Sequence, residues 1–175
     1  TIGSMMFFDK RMHGVIQTSS EEIKLSERDA QNNVVVEILR TGKFSHPDYG
    51  VLNITDDMLS TIQKNFKDNV LDRDLSFDYN HESELPACAW VKSLSTTRRN
   101  IKGNMQTVLM AHMQPTPKGE ETLKSQEYRY FSSEYVDNFV DKETGKEYGI
   151  TLKGGGLTNR PWIPGLKPIE LSESR

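Results

Sequence analysis

The chain has 175 residues, 35% of them hydrophobic and 27% charged, enough for one domain with a modest core and a broad polar surface. Lys and Arg total 22 against 25 Asp and Glu, a formal net charge of −3, which speaks against a nucleic-acid binder with its clustered basic excess. The longest apolar runs are a handful of residues, far short of the ~20 that a membrane-spanning helix needs, and the lone Cys88 excludes an internal disulfide.

Thr1 to Ser4 read as a cloning scar. Met5, Met6, Phe7 and Phe8 run at once into Asp9, Lys10 and Arg11, so no secretory apolar stretch forms, and the single thiol suits a reducing compartment. Residues 1–32 are expected to be this scar and a flexible N-terminal arm, with one short helix around Glu21 to Asn32. Order should begin with the β-branched run Val34 to Leu39. The turn cluster His46-Pro47-Asp48-Tyr49-Gly50 follows, then a short strand from Val51 to Ile54. Thr55 is an N-cap with Asp56 and Asp57 in the first turn. Met58, Leu59, Ile62, Phe66 and Val70 then repeat at helical spacing, which predicts a helix over 55–69. Leu75, Phe77 and Tyr79 alternate with polar residues as a half-buried strand ending near His81.

Strands are predicted next at 87–94 and 105–113, with Ser95 to Gly103 as a polar hairpin tip. Thr116-Pro117 starts a short helix through Leu123. Tyr128 to Val136 and Tyr148 to Thr158 form a final hairpin around Thr144-Gly145. Six or seven short strands with two helices predict an α+β fold built on an antiparallel sheet or small barrel. The folded domain spans 33–168 and a charged tail spans 169–175.

Of four histidines, His13 lies in the arm and His112 in a strand pattern beside Met110, neither with partners near it in sequence, while His46 stands in the turn cluster. His81 closes a strand within Asp78-Tyr79-Asn80-His81-Glu82, where a side chain can face a cleft. His81, Glu82, Glu84 and Cys88 lack the spacings of known zinc motifs, so no metal is expected. No phosphate-cradling glycine motif occurs, and no cofactor is expected. Ser132 and Ser133 sit inside the aromatic-rich strand Tyr128 to Tyr135. Buried hydroxyls need partners, so these serines either bond to neighbouring backbone or include a nucleophile. Gly154, Gly155 and Gly156 make either a bulge or a place where another backbone can approach.

Several segments in order resemble the phage Mu I protein family, the protease/scaffold proteins of Mu-like phages and prophages. They are the strand Val36 to Phe44, Asp78-Tyr79-Asn80-His81, Ala89-Trp90-Val91, Thr116-Pro117-Lys118-Gly119, Glu127 to Ser132 and Leu157-Thr158-Asn159-Arg160-Pro161. The resemblance implies a capsid maturation (prohead) serine protease with an assemblin-like small β-barrel ringed by helices. It makes 33–168 a protease domain and 169–175 a tail leading towards a scaffold region. Residue by residue it implies Ser132 as nucleophile and His81 as general base. Asp48 is the favoured third member, with Asn159 and Asp78 as alternatives, since Gly154 to Gly156 stand where some relatives carry a downstream acid. It further implies the scaffold and major capsid proteins of a tailed phage as partners, in the immature head within the host cytoplasm, and is compatible with a homo-oligomer. An extended substrate is expected along a sheet edge at Lys153 to Thr158, with Gly154, Gly155 and Gly156 exposing backbone to it. The alternative is a catalytically inactive assembly module of the same fold.

Strand alternation separates the two serines. Tyr130, Ser132 and Glu134 share one face, and Phe131, Ser133 and Tyr135 the other. The second set holds the better core formers, so Ser133 should turn inward and Ser132 outward, towards His81.

Overall fold

Apolar alternation becomes strand and the 3.6-residue repeat becomes helix along most of the chain. A computed structural model describes residues 5–11, 28–48, 50–82, 84–160 and 163–169, the first of these stretches by its backbone. Among them run β1 (Met5–Arg11), β2 (Val34–Arg40), β3 (Gly42–His46), β4 (Gly50–Ile54), α1 (Asp56–Lys67) and β5 (Ser76–Tyr79). β6 (Ala89–Ile101), β7 (Asn104–Pro115), α2 (Pro117–Ser125), β8 (Tyr130–Val140) and β9 (Glu147–Thr158) complete the order. Seven strands form one sheet in the order β1-β8-β9-β5-β6-β7-β2, while β3 and β4 pair separately. Every ladder is antiparallel except β5 with β9.

The α+β class is as expected, but the sheet is not closed into a barrel. Its terminal strands β1 and β2 share no ladder among the described residues. A side chain spans part of that gap. A bulge takes Ile38 out of the β2–β7 register, and its carbonyl accepts a 3.0 Å hydrogen bond from Ser133 Oγ of β8.

Local chemistry explains the elements. Thr55 caps α1, its side chain accepting from Met58 N, and Leu59 and Ile62 are buried in the core. Asn65 on the same helix is buried because its amide donates to Tyr148 O at 2.9 Å and Ile150 O at 3.0 Å, fixing the helix to β9. Thr116 caps α2 in the same way, accepting from Gly119 N.

Two expectations change. The polar stretch 95–103 is not a hairpin tip, because β6 runs through it to Ile101 and the turn into β7 is confined to Lys102-Gly103. Those two residues have φ of 53° and 90°, the backbone that lets a two-residue turn follow the twist of its strands. Side chains that are polar on both faces hid the strand. Within the expected N-terminal arm, Met5–Arg11 is a strand paired along β8. The helix expected around Glu21 to Asn32 lies partly outside the described residues. Arg28, within that range, makes a β-bridge to Val34 instead. At the far end, residues 163–169 pack over the sheet, with Ile163, Leu166 and Ile169 buried. Arg40 Nε holds Pro164 O at 2.8 Å, Arg99 Nη2 holds Gly165 O at 2.6 Å, and Glu37 Oε1 accepts from Lys167 N at 2.6 Å.

Candidate active site

Three neighbouring strands bring one row of residues together. Ser132 of β8 is the register partner of Gly156 in β9, which is in turn the partner of Asp78 in β5. Paired residues in a ladder face the same side, so Ser132 and Asp78 flank a position that carries no side chain. The gap is needed. A Cβ on Gly156 would lie 2.6 Å from Asp78 Oδ1 and 2.6 Å from His81 N.

His81 reaches this face because the chain leaves β5 through two consecutive left-handed residues, Asn80 at φ 56° and His81 at φ 61°. Asn80 N donates to Leu157 O at 2.9 Å and Asn80 Nδ2 to Tyr128 Oη at 2.8 Å, which ties the turn to β9 and to the segment before β8. The imidazole then meets Glu134, next but one to Ser132 and on the same face, with Nδ1 2.5 Å from Glu134 Oε2. Both side chains are mostly shielded, 22% and 15% exposed.

The face assignment of the serines holds. Ser133 is fully buried on the core side, its hydroxyl donating to Ile38 O and lying 3.0 Å from Tyr135 Oη, a phenol whose pKa burial pushes up. Ser132 lies on the other face with Glu134, yet it too is fully buried rather than exposed as expected. Ser132 Oγ and Asp78 Oδ1 are both buried without a hydrogen-bond partner, and no bond joins Ser132 to His81. Burial pushes the Asp78 carboxyl up to about 6, and the charge of Glu134 adds to this, against the opposing pull of His81 and the N–H groups of His81 and Glu82. Cys88 is an inert thiol, pushed up to about 12 by burial and by Asp78.

The three expected third members stand in different places. Asp48 is exposed in the turn between β3 and β4, its N–H donating to His46 Nδ1 at 3.0 Å. Asn159 is also exposed, its amide clasping Arg129 N at 3.0 Å and Glu127 O at 2.8 Å. Asp78 packs against the backbone of the His81 turn. The carboxylate hydrogen-bonded to the ring is that of Glu134, which sequence reading missed. Its position two residues after Ser132 was the available signal, since i and i+2 of a strand share a face.

The glycine edge is also corrected. Gly154 to Gly156 lie inside the sheet, paired with β8 on one side and, at Gly155 and Gly156, with β5 on the other. At Gly155 and Gly156 both sides of the strand are already paired, so no further strand can be added there. Gly155 belongs to the core face, where a Cβ would come within 2.4 Å of Ser132 O and 2.6 Å of the Phe77 ring.

Fold and face together define an α+β protein whose central strands place a serine, a histidine–glutamate pair and a second carboxyl on one side of the sheet. The chain belongs to the Mu-like prophage I protein family: the model of that family's N-terminal domain matches residues 36–170. No curated protein and no solved structure matches the chain.

Proposed function

We propose that the chain is a serine endopeptidase of the prohead maturation type, in which Ser132 attacks, His81 is the general base and Glu134 orients the imidazole. The observation that carries this reading is the His81–Glu134 pair standing on the same face as Ser132. A proton held on Nδ1 by Glu134 leaves Nε2 as the base, the tautomer that a serine nucleophile requires. Ser132 Oγ gives its proton to Nε2 as it adds to the scissile carbonyl, and the imidazolium returns it to the leaving amine. The Ser132–His81 contact must tighten for this step, as such contacts commonly do when substrate binds. Asp78 and Gly156 position the turn that carries His81. The bond from Ser133 of β8, the strand next to one end of the open sheet, to Ile38 O of β2 at the other end is the contact that favours an assemblin-like, barrel-related curvature. Scaffold and major capsid segments, cleaved inside an immature head in the host cytoplasm, are the substrates and setting that family membership suggests.

A second reading, an assembly module without activity, is favoured by the burial of Ser132 and its unmade bond to His81. Incubation with the candidate scaffold protein followed by intact-mass analysis separates the two. Discrete fragments that vanish with Ser132→Ala and with His81→Ala support the protease. An intact scaffold bound in a stable complex supports the module.

A further inference from the structure

Away from the Ser132 face, a second serine and histidine do make the bond that the first pair lacks. His112 of β7 is the register partner of Ser93 in β6, which places Ser95 diagonally across from it on the same face. Ser95 Oγ lies 2.8 Å from His112 Nε2, and His112 Nδ1 lies 2.8 Å from Asp29 Oδ2. Three separate segments meet there: the turn before β2, β6 and β7. Each imidazole nitrogen has the partner that nucleophilic catalysis requires, with the hydroxyl on Nε2 and the carboxylate on Nδ1. The carboxylate is itself fixed. Asp29 Oδ1 accepts from Gln31 N and Asn33 N at 2.9 Å each, and Oδ2 from Asn33 Nδ2 at 3.2 Å. Burial works against its charge, but the bonds to His112, Asn33 and Gln31 overcome this and pull the carboxyl down to about 2.

Access distinguishes Ser95 from Ser132. Ser95 is half-buried, and the His112 and Asp29 side chains are 18% and 16% exposed. β5 pairs with β6 only at Ala89 and Trp90, so beyond Val91 strand β6 has no ladder on that side among the described residues. A bulge between Val91 and Ser93 re-aims the strand just before Ser95.

We propose that Ser95, His112 and Asp29 form a second nucleophilic centre that accepts acyl or phosphonyl groups from small activated esters and fluorophosphonates. Ser95 Oγ adds to the carbonyl carbon or phosphorus while His112 Nε2 takes the hydroxyl proton. The bond to the leaving phenolate or fluoride then breaks, and the proton follows it into water. Asp29 stabilises the imidazolium between these events.

The test is to treat the full chain with a fluorophosphonate and locate the adduct by peptide mapping, which reads Ser95 and Ser132 separately. The expected result is an adduct on Ser95, formed about a hundredfold more slowly in His112→Gln and slowed also in Asp29→Asn. Circular dichroism melting confirms that each variant is folded. If His112→Gln does not fold, Asp29→Asn carries the test. An adduct on Ser132 alone, no adduct, or Ser95 labelling at an unchanged rate in the folded variants overturns the proposal. Because the two serines are read independently, failure at Ser95 leaves the reading of Ser132 untouched, and the reverse.

Discussion

A hydroxyl buried without a partner costs stability, and a hydroxyl buried with two partners supplies it. Ser132 and Ser133 are adjacent and equally buried, yet they stand on opposite sides of that rule. Ser133→Ala would remove the buried hydrogen bonds to Ile38 O and Tyr135 Oη, so it should lower stability by about 1–3 kcal/mol in urea denaturation while sparing scaffold cleavage. Ser132→Ala removes an unsatisfied group, so the melting temperature should stay level or rise while cleavage disappears. Stability given up at one polar group is what a working site predicts. Equal destabilisation by both substitutions would remove that contrast, and with it the case for Ser132. Glu134→Gln keeps the size of the side chain but loses the charge facing the imidazolium. It should slow turnover by about 10²- to 10⁴-fold with KM little changed, whereas Asp48→Ala should leave the rate unaltered.

At this scale the sequence was half legible. Alternation alone assigned Ser133 to the core face and Ser132 to the face of Glu134, because a strand has only two sides. Burial of Ser132 was not legible, since it depends on what covers the face. The Glu134–His81 pairing was hidden as well. It requires two left-handed residues in a row, Asn80 and His81, and neither is a glycine that would announce the turn.

Among elements, β9 most changes the functional picture. Three glycines suggested an exposed edge, yet they permit close packing between β8 and β5. Gly155 admits the Phe77 ring, which meets Phe131 edge-on at 5.2 Å between centroids, and Gly156 admits the Asp78 carboxyl and the His81 turn. Gly155→Val should therefore unfold the centre of the sheet, seen as a large fall in melting temperature, instead of raising KM in a folded protein. Gly156→Ala should act more locally, displacing the turn and lowering kcat. Histidine resonances in NMR would register it as a shifted His81 ring with the remaining histidines unmoved. Elements with a strong local code were legible throughout. The Thr55 and Thr116 caps, the α1 stripe and the 144–145 turn needed only their neighbours in sequence. What escaped was long-range: strand order, the parallel β5–β9 pair and the inclusion of Met5–Arg11 in the sheet.

For the whole molecule, two acids at separate sites set opposing pH dependences. Asp29 is held down at about 2, below its ordinary 3.8, so it contributes stability above pH 4 that is lost as pH falls through its folded value. Asp78 is pushed up to about 6. The unfolded chain releases this proton near pH 4 while the folded chain keeps it, so stability falls as pH rises from about 4 to 6 and then levels off. A shift of that size corresponds to roughly 2–3 kcal/mol. Urea midpoints measured across this range should therefore drop with rising pH in the wild-type chain, with a flatter profile in Asp78→Asn. Asp29→Asn should retain the Asp78 slope and lose stability at neutral pH. A wild-type midpoint that climbs between pH 4 and 6, with Asp78→Asn following the same curve, would mean that Asp78 sits in water rather than under the His81 turn. The positioning role of Asp78 and Gly156 at the proposed active site would then go with it.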